Sequence, residues 1–498
     1  MDNRIRNKKL HKKICSAEEA ASLIKDNMVI GCSGFTPSGY PKAVPLALTK
    51  KIEKSAKSFK IDLLTGASVG KELDGKFAQA DLIRRRYPYY SDKFVRKKIN
   101  KGKIAYKDAH LSHFPQQIRY GYYGDIDIAI IEATAITKDI NIIPTTSVGV
   151  SPVLASKAKE IIVEINTNKP VELEGIHDIY QPLDPPDRKP IPLKSVDDRI
   201  GNSYIEVDAE KIKAIVYTNL KDDLRLKVFQ NNICSSIAHH IIKFLEDEVR
   251  KNRLPNSLLP LQSGVGQVAN AVLAGLEKSN FKNLSFYSEV IQDSVLDLID
   301  SGKINIASGT SITTSPAGYQ RFLDNIDFYK NKIILRPQEI SNNPEIIRRL
   351  GSVAINTAVE VDIYGNINST NIMGTKMMNG IGGSGDFARN AFLSIFVTSS
   401  TAKEGKISSI VPMVSHVDHT EHDIDIIVTE NGIADLRGLA PRERAELIID
   451  KCAHIDYKDQ LRDYLNRAKK LGGHTPHLLD EALAWHQRYI KTGTMLDI

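Results

Sequence analysis

Ser263-Gly264-Val265-Gly266-Gln267-Val268-Ala269 follows an apolar run (Leu258, Leu259, Leu261) and leads into the amphipathic stretch Val268–Lys278. The order is strand, glycine turn, helix N-terminus. The same alternation of short apolar runs and amphipathic segments fills the chain on both sides, which predicts an α/β fold with mostly parallel sheets. Strands are expected at Met28–Gly31, Ile61–Leu64, Ile126–Ile131, Ile161–Ile165, Ala214–Tyr217, Leu284–Tyr287, Lys332–Leu335 and Ile424–Val428. Helices are expected at Ala43–Lys54, Ile233–Arg250, Val268–Lys278 and Arg442–Ala453.

At 498 residues the chain exceeds one ordinary core, so two or three domains are expected. The clearest break is Gln181–Leu193, with five prolines in thirteen residues, which excludes a helix interior or a central strand. The halves on either side echo one another. Asp125-Ile126-Asp127-Ile128 is followed by three residues and Glu132; Asp423-Ile424-Asp425-Ile426 is followed by three residues and Glu430. Phe59-Lys60 leads into Ile61–Leu64 as Phe281-Lys282 leads into Leu284–Tyr287, each after a glycine turn (Gly31/Gly34 and Gly264/Gly266) and a helix. A duplicated α/β domain follows, divided as 1–225 and 226–498.

The helix start after Gly266 offers unpaired N–H groups and a positive dipole to an anion. Gly264, Gly266 and Ala269 also fit G-x-G-x-x-[GA], and Glu289 ends the next strand about twenty residues on, where a dinucleotide fold places its ribose ligand. Alone, that stretch reads as a nicotinamide-dependent dehydrogenase. A second glycine run, Asn379-Gly380-Ile381-Gly382-Gly383-Ser384-Gly385-Asp386, redirects the reading. Each loop by itself is most simply a tight turn. Two of them around one strand-end carboxylate suit a reaction centre lined by backbone donors. Glu289, between Tyr287 and Val290, would be poorly hydrated and therefore more nucleophilic; its bland alternative is a surface acid leading into a helix.

Composition narrows the classes. A net charge of +7 suits a phosphorylated ligand but also many proteins that bind none. No arginine-rich block with interleaved aromatics points to nucleic acid, and no apolar run reaches the ~18 residues of a membrane helix. The basic stretch Met1–Lys13 has no apolar run behind it, so a cytoplasmic protein is expected rather than a secreted one. Cys15, Cys32, Cys234 and Cys452 are scattered as free thiols would be. His416, His419 and His422 recur every three residues beside Asp418 and Glu421. That spacing drifts around a helix and lacks HExxH, so a polar network lining the site or the domain interface is favoured over a metal centre.

The chain resembles the acetyl-CoA hydrolase/transferase family, and within it the bacterial succinyl-CoA:acetate CoA-transferases. The resemblance is carried by Ser33-Gly34-Phe35-Thr36-Pro37-Ser38-Gly39-Tyr40-Pro41-Lys42 and by Gln262–Ala271, Tyr287–Asp293, Gly380–Asn390, Val414–His422 and Thr429–Gly438. It implies two similar CoA-transferase-type (NagB/RpiA-like) domains in a homodimer. Acyl-CoA and a short carboxylate would be the substrates, with no metal and no permanently bound cofactor. It makes Glu289 the nucleophile that carries coenzyme A as a glutamyl thioester, with oxyanion donors at the N–H groups of Val265 and Gly383. The orienting asparagine maps to Asn342 and a buried acid to Glu430, for which Arg225 is the candidate partner. Coenzyme A contacts map to Leu259, Pro260, Leu261, Gln262, Ser263, Val359, Asn379, Gly383 and Lys403. An acetyl-CoA hydrolase using the same site stays open beside the transferase, as does the acid transferred. A nicotinamide dehydrogenase and a non-enzymatic nucleotide-binding module are the remoter readings.

Overall fold

A computed structural model describes residues 4–55, 58–224 and 231–497. The chain forms two compact units: Met1–Lys227 with Ser285–Ile299 and Asn305–Leu350, and Val228–Leu284 with Asp300–Ile304 and Gly351–Ile498. The sequence boundary at 225/226 and the candidate Arg225 both lie outside the described residues.

In the first unit, strands run side by side in the order Ala105–Tyr106, Ile83–Tyr87, Ile61–Leu64, Val29–Cys32, Ile128–Ile136, Glu160–Asn166 and Ile212–Thr218. All these neighbours are parallel, with Ile30 opposite Ile128; the short Ile142–Pro144 adds antiparallel to Ile128–Ile136. The side chains of the central strands Ile61–Leu64, Ile128–Ile136 and Glu160–Asn166 are buried almost throughout, as in a parallel sheet covered on both faces, whereas Ala105–Tyr106 at the edge is partly exposed. The expected strand Ile61–Leu64 matches residue for residue, and helix Ala43–Glu53 stops one residue short of its predicted end.

That helix begins on a carboxylate. Glu164, on the strand Glu160–Asn166, accepts the N–H groups of Lys42 (2.8 Å), Ala43 (3.0 Å) and Val44 (2.7 Å), three of the donors a helix start leaves unpaired. Lys42 Nζ turns inward to Glu132 (2.6 Å) and Asp222 (2.8 Å), and Lys169 meets the other oxygen of Asp222. Burial opposes charge on both lysines, but Asp222 and Glu132 outweigh it and hold them above the usual lysine range. Burial likewise works against the Asp222 carboxylate, and Lys169 and Lys42 overcome it, pulling its pKa down to about 2. The network fixes one end of the glycine-bearing segment Ser33–Lys42.

In the second unit, Leu261–Ser263, Val353–Thr357, Leu393–Val397 and Ile426–Thr429 run parallel in that order, and Gly432–Asp435 folds back antiparallel. Helices Asn232–Arg250 and Gln267–Lys278 pack together. The C-terminal helices Pro441–Cys452, Ile455–Leu471 and Ala484–Thr492 contribute to a core with Tyr364, Phe396, Tyr457 and Trp485.

The strand succession supports the duplication and corrects one part of its reading. Val29–Cys32 is followed sideways by 128–136, 160–166 and 212–218, as Leu261–Ser263 is followed by 353–357, 393–397 and 426–429. Strand 426–429 therefore stands where 212–218 stands, not where 128–136 does. The two Asp-Ile-Asp-Ile segments are not equivalent positions; they share a local solution. Asp127 accepts Val29 N–H at 2.9 Å and returns its own N–H to Val29 O, while Asp425 does the same with Ser394. Each aspartate stitches the start of one parallel strand to its neighbour.

Candidate active site

Glu289 belongs to the first unit. Strand Leu284–Tyr287 ends just before it, and Ser288 N–H still donates to Ser308 O at 3.0 Å. The chain then bends: Glu289 O accepts the N–H groups of Thr310 (2.7 Å) and Ser311 (3.1 Å), and Val290–Ile291 pairs with Ser311–Ile312. Gly309 permits this approach, since a Cβ there would stand 3.2 Å from Glu289 O and 3.1 Å from the Ile291 side chain. Glu289 thus occupies the C-terminal end of a parallel strand, the end at which open α/β sheets place their ligands.

Asn342 reaches the same point from a helical turn, Gln338–Ser341. Its Nδ2 donates to Glu289 Oε1 at 2.7 Å. Two further bonds hold that turn: Asn342 N–H to Gln338 O (2.9 Å), and the buried Tyr287 hydroxyl to Ile340 O (2.5 Å). The tyrosine two residues before the carboxylate therefore positions the segment that carries its hydrogen-bond donor. Part of Glu289 stays open to solvent, yet the protein packed around its carboxyl removes enough water to push its pKa up to about 7, against the opposing Asn342 bond. A carboxylate so placed is basic, poorly hydrated and half ionised near neutrality, which suits attack on an electrophilic carbon.

On the other side of the bend, Val290 packs with Phe35, Ala67 and Leu111, and Thr36 Oγ1 lies 3.3 Å from Ser311 Oγ. The Ser33–Lys42 segment, which carries part of the family resemblance, therefore buttresses the turn after Glu289.

The remaining predicted site residues lie in the second unit. Leu261, Gln262 and Ser263 form the strand before the first glycine turn, with half-buried Leu259 and Pro260 leading in. Gln262 is structural at both ends: its Oε1 accepts Ile355 N–H (3.1 Å) and its Nε2 donates to Asn356 Oδ1 (3.3 Å). Gly264 N–H donates to Ile355 O, and Val265 projects 51% exposed. Only Gly266 needs to be glycine on conformational grounds (φ 137°, ψ −173°). A Cβ on Gly264 would meet nothing closer than 3.6 Å, so that glycine is not demanded by space.

The second glycine loop precedes helix Ser384–Ala388, which packs on strand Val353–Thr357. Asn379 Nδ2 donates to Gly380 O (2.9 Å) and Ser369 O (3.4 Å). Val359 N–H donates to Asn368 O, and exposed Lys403 sits in left-handed conformation at the tip of the hairpin 401–408. Glu430 is half-buried rather than buried. Ser400 satisfies it with its N–H (2.9 Å) and hydroxyl (2.5 Å), and the Glu430 carbonyl lies 3.3 Å from His240 Nε2.

The histidine run separates into different environments. His416 is exposed beside Asp418, His422 is exposed, and His419 is buried with Nε2 3.1 Å from Ser384 Oγ. Among the described residues, no group of three or more His, Cys, Asp or Glu is arranged to hold a metal. No described helix is long and apolar enough to cross a membrane. A cavity of about 680 Å³ opens between helices Asn232–Arg250 and Gln267–Lys278, but none of the predicted site residues lines it.

Comparison with known proteins agrees with the resemblance. The acetyl-CoA hydrolase/transferase N-terminal domain matches residues 1–217, and the C-terminal domain of the same family matches 318–465. The chain is 57% identical to the succinyl-CoA:acetate CoA-transferase of Clostridium kluyveri over 99% of its own length and 92% of that protein's. It is 48% identical to the acetyl-CoA hydrolase of Schizosaccharomyces pombe over 99% and 98% respectively. The 4-hydroxybutyrate CoA-transferase of Porphyromonas gingivalis shares the fold, with a TM-score of 0.64, 21% identity, and coverage of 92% of this chain and 98% of that one.

Proposed function

The chain belongs to the acetyl-CoA hydrolase/transferase family, and from that premise we propose that it moves coenzyme A between succinyl-CoA or acetyl-CoA and a small carboxylate such as acetate. The observation that carries the reading is Glu289: a desolvated carboxylate at a strand end, held by Asn342 at 2.7 Å. Ionised Glu289 attacks the thioester carbonyl, giving an acyl-glutamyl anhydride and CoA thiolate. The thiolate attacks the glutamyl carbonyl, leaving a glutamyl-CoA thioester and the free carboxylate. The acceptor carboxylate then attacks the glutamyl thioester, and the released thiolate takes up its acyl group. No net proton moves, and Glu289 is regenerated.

Each step passes through a tetrahedral oxyanion, and on the family resemblance the N–H groups of Val265 and Gly383 are assigned as its donors. Removing one donor of that kind costs roughly 3–4 kcal/mol in other enzymes. Asn342 orients Glu289, and on the same resemblance Glu430, held by Ser400, is assigned as an acid of the site. Coenzyme A is assigned to Leu259–Ser263, Val359, Asn379, Gly383 and Lys403, with Lys403 at the phosphates. The same resemblance supports a cytoplasmic homodimer.

The relative from Schizosaccharomyces pombe favours a second reading, in which water takes the glutamyl or acyl carbonyl and acetyl-CoA is hydrolysed. Free thiol release from acetyl-CoA and from succinyl-CoA, with and without acetate, separates the two. A transferase forms acetyl-CoA from succinyl-CoA and acetate without net thiol release, with ping-pong kinetics. Steady thiol release that ignores the acceptor acid contradicts the transferase reading.

A further inference from the structure

We propose that His419 is a positioning residue that fixes the second glycine loop through Ser384, and with it the N–H of Gly383. The proposal rests on the reading above, in which that N–H serves the reaction centre.

Ser384 Oγ lies 2.8 Å from Ile381 O and 3.1 Å from His419 Nε2. For both contacts to be hydrogen bonds the single hydroxyl proton goes to Ile381 O, because a carbonyl can only accept. His419 must then donate, which places a hydrogen on its Nε2. The result is a directed chain, His419 Nε2–H to Ser384 Oγ–H to Ile381 O. It spans Gly382, in left-handed conformation at φ 62°, and Gly383, at φ −96°.

Two adjacent glycines leave the backbone free to sample many conformations, whereas an oxyanion donor needs its direction fixed within a fraction of an ångström. Here the clamp closes over those two residues. Helix Ser384–Ala388 is only five residues long and begins at the clamp, with Phe387 N–H on Gly383 O at 3.1 Å.

His419 is itself well held. The residue is 3% exposed, and its ring lies 4.9 Å from the Phe396 ring on strand Leu393–Val397. Its backbone exchanges both hydrogen bonds with Ile367, at 2.8 and 3.1 Å. Beside it, the Asp418 carboxylate accepts Ser369 N–H (2.6 Å) and the Thr370 hydroxyl (2.9 Å), pinning the same segment. The imidazole is thus a fixed donor on a rigid support.

The test compares full-length wild type with His419→Ala, His419→Gln, Ser384→Ala and the double alanine variant, using succinyl-CoA and acetate. Misplacing a group by about 1 Å can cost a hundredfold in rate, so each single alanine variant is expected to lose about ten- to a hundredfold in kcat. KM for succinyl-CoA should change less than kcat, because the assigned contacts at Leu259–Ser263, Val359 and Lys403 lie outside the clamped loop. The double variant should be no slower than the slower single, since both changes cut one link. His419→Gln, whose amide can donate to the same oxygen, should recover most of the rate. Wild-type kcat in either alanine variant, losses that multiply, or losses confined to KM would overturn the inference. Ser384→Ala removes only one oxygen, so it keeps the test decisive if His419→Ala folds poorly. Borohydride trapping run on wild type keeps the two ideas apart. Exchange without an adduct on Glu289 sinks the glutamyl reading, whereas an adduct together with undiminished variants sinks only the role of His419.

Discussion

Replacing Asn342 with alanine removes the one donor that the described residues place on the Glu289 side chain, at 2.7 Å. Burial has already pushed that carboxyl up to about 7, and the Asn342 bond acts in the opposite direction by favouring the ionised form. A hydrogen bond to a charged group is worth about 1.5–3 kcal/mol, and one pH unit corresponds to 1.36 kcal/mol, so the loss amounts to about one to two units upward. At pH 7 the ionised fraction should fall from about one half to between about a tenth and a hundredth, slowing turnover about 5- to 50-fold. The assay is kcat/KM for succinyl-CoA with saturating acetate between pH 6 and 9.5. Wild type should rise with unit slope and level off above about pH 8; the variant's rising limb should lie one to two units to the alkaline side and level off below the wild-type plateau, because Asn342 also orients the carboxylate. A rate lowered equally at every pH, or a limb that does not move, would refute the claim that Asn342 sets the ionisation of Glu289.

Three further outcomes follow from the same structure. Because the folded pKa of Glu289 is raised from 4.5 to about 7, the folded state holds the proton more tightly, and stability declines as pH rises between those values. Glu289→Gln should therefore unfold at higher urea than wild type at pH 8, by up to about 3 kcal/mol, and show little gain at pH 4.5; an equal gain at both values would contradict it. Gly266→Ala should destabilise by about 1–3 kcal/mol because of its φ of 137°, while Gly264→Ala stays within about 0.5 kcal/mol. Equal urea midpoints for the two variants would show that the strain argument is wrong. Asp222→Asn leaves the buried ammonium groups of Lys42 and Lys169 without their shared carboxylate, so a loss of about 3–5 kcal/mol is expected. A variant as stable as wild type in urea would contradict that.

The frame of the fold was legible because parallel strands buried on both faces are short apolar runs. Ile61–Leu64 and Leu284–Tyr287 can be read directly from sequence, and helix Asn232–Arg250 begins within one residue of its expected start. Where one residue pattern serves two purposes, pattern reading misleads. The Asp-Ile-Asp-Ile segments look like a repeat, but each is a local device for joining the starts of parallel strands. Val353–Thr357 and Leu393–Val397 carry Asn356 and Ser394 inside the run and escape a search for apolar segments, although both are central to the second unit. Helix Ile455–Leu471 is so charged that its buried face (Tyr457, Leu461, Tyr464, Leu465) stands out only against the core it meets.

The strand-end acid and the two glycine loops were visible from spacing. Asn342, 53 residues from Glu289, was reached through the family resemblance, because only tertiary structure brings the two together. Period-three histidines look alike in sequence; the irregular backbone at 416–420 is what buries His419 and leaves His416 exposed.

The central claim is that coenzyme A passes through a covalent bond to Glu289. Incubating the protein with succinyl-CoA, reducing with borohydride and mapping peptide masses examines that bond directly. The expected result is reduction confined to the peptide containing Glu289, dependent on succinyl-CoA and absent from Glu289→Gln. An unmodified Glu289 peptide recovered while exchange is proceeding would contradict the account.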